Sequence, residues 1–407
     1  MSILSTVVQA RNVQDNIGRL QNQIDLLRGQ IGTGKKTDRF SGLGVDSRRS
    51  LELRATIQTY ERYQIGISRA DTQLQVQVNA LNQMDEIINQ AVTDLTTALD
   101  GSIPDVTETN QTAQSQLVEL VSLMNTQFDD RFIFSGRGVT DANVVAGETR
   151  PPVIGFENDA AVPDGVIPGV DNYFNLLTAS ALSVDNIGPE AVGENGPDRI
   201  FARLDYIFSN NAANTAALGA LVPADAAVAN SATPNDYATW YNGDLGLNPP
   251  GDIFVDSEIS QGVNITTNSV IVNPGIAGNP VPGNTTGYED VIKAMSLFST
   301  LQPSNGVVDS SNEAEFFEVF NRGLALLKQG QEKLQAEVQV LGERQAFVGR
   351  TNERNIEVLT FTEIALSNVE DVDVAKASTD LFQLEAQLEA SYSIIGTLRN
   401  LRLSNFL

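Results

Sequence analysis

Apolar residues recur at alternating steps of three and four along four stretches of the chain. The first stretch runs Ala10, Val13, Ile17, Leu20, Ile24, Leu27 and Ile31. The second runs Leu53, Ile57, Tyr60, Gln64, Ile67, Asp71, Leu74, Val78, Leu81, Asp85, Ile88, Val92, Leu95 and Leu99. The third takes in Phe317, Phe320, Leu324, Leu327, Gln331, Leu334, Val338, Leu341, Gln345 and Val348, and the fourth Leu381, Leu384, Leu388, Ser391, Ile395 and Leu398. A repeat of this period keeps one narrow seam on one side of a helix, which is the coiled-coil pattern. The second stretch predicts a rod of ~70 Å, at about 1.5 Å per residue. A helix of that length needs neighbours along its seam. The third stretch, and a shorter helix over 106–130 carrying Leu117, Val121, Met124 and Phe128, are the antiparallel partners at hand.

The two terminal stretches differ from the inner ones. Gly32, Gly34, Gly42 and Gly44 separate the first from the next helix, and Glu370, Asp371 and Asp373 precede the last. Each end thus has one stripe and no adjacent covering helix, so its partner is the other end or another copy of the chain. The expected assembly seam is Ile17, Leu20, Ile24, Leu27 and Ile31 with Leu381, Leu384, Leu388, Ile395 and Leu398. Ends of this kind are expected to order on assembly, since fixing a backbone costs about 1–2 kcal/mol per residue.

Proline and glycine mark off the middle. Of 15 prolines, 13 lie between residues 136 and 290, with 18 of the 32 glycines. Proline breaks helix interiors, so the long helices lie outside this window. Within it, VIVNPGIAG, DIFVDSEIS and GVNITTNS mix β-branched residues with turn formers and predict short strands. The expected fold class is therefore α+β: a long antiparallel helical bundle or coiled-coil stalk formed by both chain ends, with an inserted, mainly β middle domain. The expected boundaries are 1–49 (N-terminal coiled-coil segment), 50–137 (first half of the stalk), 138–290 (insert), 291–366 (second half of the stalk) and 367–407 (C-terminal coiled-coil helix).

Composition narrows the function. The 407 residues hold 51 acidic and 26 basic side chains, with no cysteine and no histidine, for a net charge of −25. Residues 151–290 carry 17 acids against Arg199 and Arg203, whereas residues 1–69 carry 11 basic and 6 acidic groups. Disulfides, thiolate nucleophiles, Ser-His-Asp triads and imidazole or thiolate metal sites are excluded. A polyanion is a poor partner for nucleic acid or an anionic membrane. The opening MSILSTVVQARNVQDN lacks a basic n-region and an unbroken apolar core, so no cleaved secretory signal is expected, and no run is long enough to span a bilayer.

Several motifs lose force on inspection. Gly29–Lys35 fits GxxxxGK, but the next residue is Lys36 where Mg²⁺ binding needs Ser or Thr, and a helical heptad precedes it where a strand should. Adjacent carboxylates such as Asp129/Asp130 and Glu370/Asp371 could work as acid and base, yet adjacency does not set two carboxylates across a substrate. No EF-hand pattern is present in the acidic middle. No catalytic, cofactor-binding or metal-binding residue is expected.

Four polar signatures remain: Gly-Thr-Gly-Lys-Lys-Thr-Asp at 32–38, Phe-Asp-Asp-Arg-Phe-Ile-Phe-Ser-Gly at 128–136, Trp-Tyr-Asn-Gly-Asp at 240–244, and Asn-Val-Glu-Asp-Val-Asp-Val-Ala at 368–375. With helical ends and no cysteine they resemble the bacterial flagellin family, the first 135 residues and the last 115 or so looking like its two terminal domains. The stretches Arg131–Gly136 and Trp240–Asp244, then Ile253–Asp256, Gly262–Asn264 and the ending Ser404–Leu407, are more similar to the junction members of that family than to its filament subunits. The resemblance implies a structural protein rather than an enzyme, without cofactor. It would be exported unfolded through the flagellar type III apparatus with an export chaperone, to lie outside the cell on the flagellum. The implied partners are a ring of its own copies, hook-associated protein 1 and flagellin, with no nucleic acid and no membrane insertion. The filament subunit itself stays open as the alternative.

Overall fold

A computed structural model describes residues 2–99, 105–129, 131–135, 152–153, 196–208, 256–267, 285–303 and 307–404. Its elements are α1 (Ser2–Thr33), a 3-10 segment (Phe40–Asp46), α2 (Ser47–Leu99), α3 (Val106–Met124), β1 (Gln127–Phe128), β2 (Arg131–Phe132), α4 (Gly196–Phe208), β3 (Asp256–Ser260), β4 (Val263–Thr266), α5 (Gly287–Thr300), α6 (Glu313–Glu370) and α7 (Val374–Ser404). The molecule is mostly helical, with its long helices towards both ends of the chain and small antiparallel strand pairs between them. Contacts divide it into two units, one of residues 1–64 with 353–407 and one of 65–352. These divisions fall inside α2 and α6.

In the larger unit the second stretch forms α2 as predicted, but its seam is shifted by one residue at every second step. Ile67, Leu74, Leu81, Ile88 and Leu95 are buried, and between them lie Ala70, Gln77, Met84 and Ala91, where Asp71, Val78, Asp85 and Val92 were expected. A three–four alternation can begin with either step. The shorter first step keeps both aspartates out of the core, where an unpaired carboxylate is costly. Asp85 instead sits at the seam edge and accepts from Gln331 Nε2 at 2.8 Å and Gln335 Nε2 at 2.9 Å. On α6, Phe320, Leu324, Leu327, Leu334, Leu341 and Val348 are buried as expected; Phe316 replaces Phe317 and Gly330 replaces Gln331.

The helix predicted over 106–130 ends at Met124. Phe128 belongs to β1, which pairs with β2 through Gln127↔Phe132 and Phe128↔Arg131. Asp129, at φ 54, makes the left-handed turn between them, a conformation Asp tolerates. Of the strands expected in the insert, DIFVDSEIS and GVNITTNS supply the hairpin β3–β4, while VIVNPGIAG lies outside the described residues. The 13-residue helix α4 also belongs to the insert.

Helix α5 lies at the centre of this unit, with every one of its residues buried. It begins in a capping box, Thr286 Oγ1 accepting from Glu289 N and the Glu289 carboxylate accepting from Thr286 N. Its other charges are paired: Asp290 with Lys333 at 2.5 Å, and Lys293 with Asp205 at 3.1 Å. Gly287 and Gly330 bring α5 and α6 into backbone contact, since a Cβ on Gly287 would stand 2.8 Å from Gly330 O. Gln77 ties two hairpins to α2, its Nε2 donating to Ile133 O at 3.3 Å and Thr267 O at 3.0 Å.

Candidate assembly site

The smaller unit contains both terminal helices and the two joint signatures. Helix α1 packs along α7 within the chain, one of the two pairings expected of the ends. Gln21 Nε2 donates to Tyr392 Oη and Arg28 pairs with Glu385, both at 2.8 Å; as one number rises the other falls, so the helices run antiparallel. On α1, Ile17 and Ile24 are buried at 7% and 3% exposure, and Leu20, Leu27 and Ile31 are half-buried. On α7, Leu381, Leu384, Leu388 and Ile395 are half-buried, and the side chain of Leu398 lies outside the described residues. A two-helix seam has only two walls, which is why much of it keeps some exposure.

Beneath the pair, the signatures at 32–38 and 368–375 meet. Gly34, at φ +71, turns the chain out of α1 in a left-handed conformation that suits glycine. The two segments then form one antiparallel bridge at Lys35 and Asp371, with Lys36 N donating to Glu370 O at 2.7 Å and Val372 N to Gly34 O at 2.9 Å. Lys36 Nζ donates to Asn368 O at 2.6 Å and Val369 O at 2.9 Å, a cation on the last carbonyls of α6. Asp373 accepts from Lys376 N at 3.0 Å and caps the start of α7.

Glu370 is the hub. Its carboxylate takes Arg54 Nε at 2.7 Å and Arg54 NH2 at 2.6 Å in a bidentate fork, Ser50 Oγ at 2.5 Å, and Lys35 Nζ at 3.5 Å. With its side chain only 6% exposed, it is held down to about pKa 2, chiefly by the Arg54 hydrogen bonds working against burial. Asp371 accepts from Lys35 Nζ and Ser367 Oγ, both at 2.6 Å, and its pKa is lowered mainly by the first. Arg54 and Lys35 are correspondingly raised by the same carboxylates. Both carboxylates of the Glu370/Asp371 pair are thus bound to cations, an arrangement that fastens segments together. The GxxxxGK segment is the end of α1 and this turn. Among the described residues no cluster of acidic groups could hold a metal ion, and no helix is long and apolar enough to cross a membrane.

Sequence reasoning missed Ser50 and Arg54. Their i, i+4 spacing puts two donors on one face of α2, but nothing local ties them to a carboxylate 316 residues further along. Within the described part of the 128–136 signature, Arg69 pairs with Asp129, and Phe132, Ile133 and Phe134 are buried. The 240–244 signature lies outside the described residues.

Around this latch the smaller unit exposes large apolar side chains. Phe361 is 74% exposed, Phe382 70% and Ile364 57%, and Leu26, Leu51 and Ile394 are exposed with them.

Residues 4–138 match the family model for the bacterial flagellin N-terminal helical region. No curated protein matches the chain. Among solved structures, the chain is similar to one assigned as a flagellar hook-associated protein from Vibrio parahaemolyticus, at 12% identity and a TM-score of 0.40, covering 80% of this chain and 97% of that one. The family match covers about a third of the chain, and the structural likeness is too distant to carry an argument.

Proposed function

We propose that the chain is a flagellin-family structural subunit of the bacterial flagellum that forms the junction between hook and filament, the part played by hook-associated protein 3. The observation that carries an assembly role is the smaller unit itself. It pairs the two chain ends, leaves their seam half-buried, and exposes Phe361, Ile364 and Phe382 to a neighbour. The flagellin match over 4–138 supports the flagellar setting, and the Arg131–Gly136 and Trp240–Asp244 stretches favour the junction role. On this reading the chain leaves the cell unfolded through the type III apparatus with an export chaperone and forms a ring. That ring lies between hook-associated protein 1 and the first flagellin subunits. A chain without cysteine can thread a channel without a disulfide to undo.

The flagellin match leaves a second reading, the filament subunit itself. The two separate in a strain lacking the gene. A junction protein predicts a hook, flagellin released into the medium and no filament. Purified junction protein should also stay short when seeded at high salt, where the Debye length falls to ~3 Å. Long filaments of this chain alone would establish the second reading.

A further inference from the structure

We propose that the Arg54–Glu370–Lys35 latch is the positioning device of the terminal helix pair: it sets the one register in which α1 and α7 meet, and so the surface they present to a second copy of the chain. The inference rests on the assembly reading above.

The argument starts from what the pair lacks. Its seam repeats Ile17, Leu20, Ile24, Leu27 and Ile31 against Leu381, Leu384, Leu388, Ser391 and Ile395, Leu or Ile at every position but Ser391. Sliding one helix by seven residues, about 10 Å, would restore a seam of the same kind. The two polar links described across the pair, Gln21–Tyr392 and Arg28–Glu385, are both exposed, where such contacts contribute little. Register must therefore be set where the helices are anchored. Both anchors pass through the latch: α1 leaves at Gly34–Lys36 and α7 enters at Asp371–Asp373, and the bridge at Lys35 and Asp371 aligns the two chains residue against residue. Glu370 then pins this bridge to α2 through the fork to Arg54 and the bond from Ser50. The fork matters because a planar guanidinium fixes orientation as well as charge, which lysine does not.

The test exploits the absence of cysteine. Spin labels on Asp25→Cys and Glu389→Cys, both exposed, report the distance across the pair in the full-length chain. The latched chain should give one narrow distance. Glu370→Gln should add a population displaced by about 10 Å, and Arg54→Lys a smaller one, with the unfolding of residues 65–352 unchanged. A single narrow distance in Glu370→Gln would overturn the proposal, whatever the cells do. A second arm restores the bridge covalently. Lys35 and Asp371 face each other as a non-hydrogen-bonded antiparallel pair, a separation a disulfide can span. Lys35→Cys/Asp371→Cys, secreted reduced and oxidised outside the cell, should return flagellar incorporation to the Glu370→Gln chain. Failure of the oxidised chain to incorporate would overturn the link between register and assembly. If the distances shift as expected while the unaltered chain is absent from flagella, the latch stands and the flagellar reading fails.

Discussion

Arg54 grips Glu370 with two hydrogen bonds, at 2.7 and 2.6 Å, across 316 residues of chain. One residue lies near the start of α2 and the other ends α6, so the fork closes a loop containing the whole of the larger unit.

Acid should open the latch. Glu370 titrates near 4.5 when free and about 2 when folded, so between those values the folded state binds fewer protons than the unfolded. Its contribution is complete above pH 4.5 and is lost as pH falls towards 2, a span worth about 3 kcal/mol. Hydrogen exchange in α1 and α7, corrected for intrinsic rate, should accelerate over that interval. In Glu370→Gln it should be fast throughout and insensitive to it.

The larger unit should respond in the opposite sense. Burial pushes Glu289 up from 4.5 to about 7, against the Thr286 amide and Lys293. The folded state then binds more protons than the unfolded between those values, so stability is greatest at the acid end and falls as pH rises through 7. Glu289→Gln keeps a capping-box residue and removes the buried charge. It should raise the unfolding free energy at pH 8 by up to about 3 kcal/mol and leave it unchanged at pH 4.

Two glycines of α6 should answer the same substitution with opposite signs. A Cβ on Gly342 meets nothing within 4 Å, so Gly342→Ala should stabilise by about 0.5–1 kcal/mol. A Cβ on Gly330 would stand 2.8 Å from Val291 Cγ2 and 3.0 Å from Gly287 O. Gly330→Ala should therefore destabilise by about 1–3 kcal/mol despite the gain in helix propensity. Denaturant midpoints of the two variants provide the comparison.

Gln77→Met keeps the volume and removes the donor that serves Ile133 O and Thr267 O. The variant should lose about 1–3 kcal/mol, with exchange in both hairpins quickening before that in α3. Exchange in both hairpins unchanged from that of the unaltered chain would show that Gln77 holds neither.

Periodicity revealed the long helices because a helix with a single apolar stripe leaves its period in the sequence. It did not resolve which of two step orders α2 uses; the clue was chemical, since one order buries Asp71 and Asp85 and the other Ala70 and Met84. Helix α5 was not singled out from the second half of the stalk, because it is buried on all sides and carries no stripe, although Thr286 and Glu289 give its start. The joint signatures at 32–38 and 368–375 stood out as polar segments, and the structure brings them together. What could not be read was the donor set on α2, because Ser50 and Arg54 acquire their meaning only from a carboxylate contributed by the far end of the chain.

The most direct measurement of the whole account is immunogold labelling of the protein on intact flagella. The junction reading predicts a single narrow band of gold where hook meets filament, absent from Glu370→Gln cells and restored in them by the oxidised Lys35→Cys/Asp371→Cys bridge. Gold distributed along the filament, or none on the flagellum at all, would contradict it.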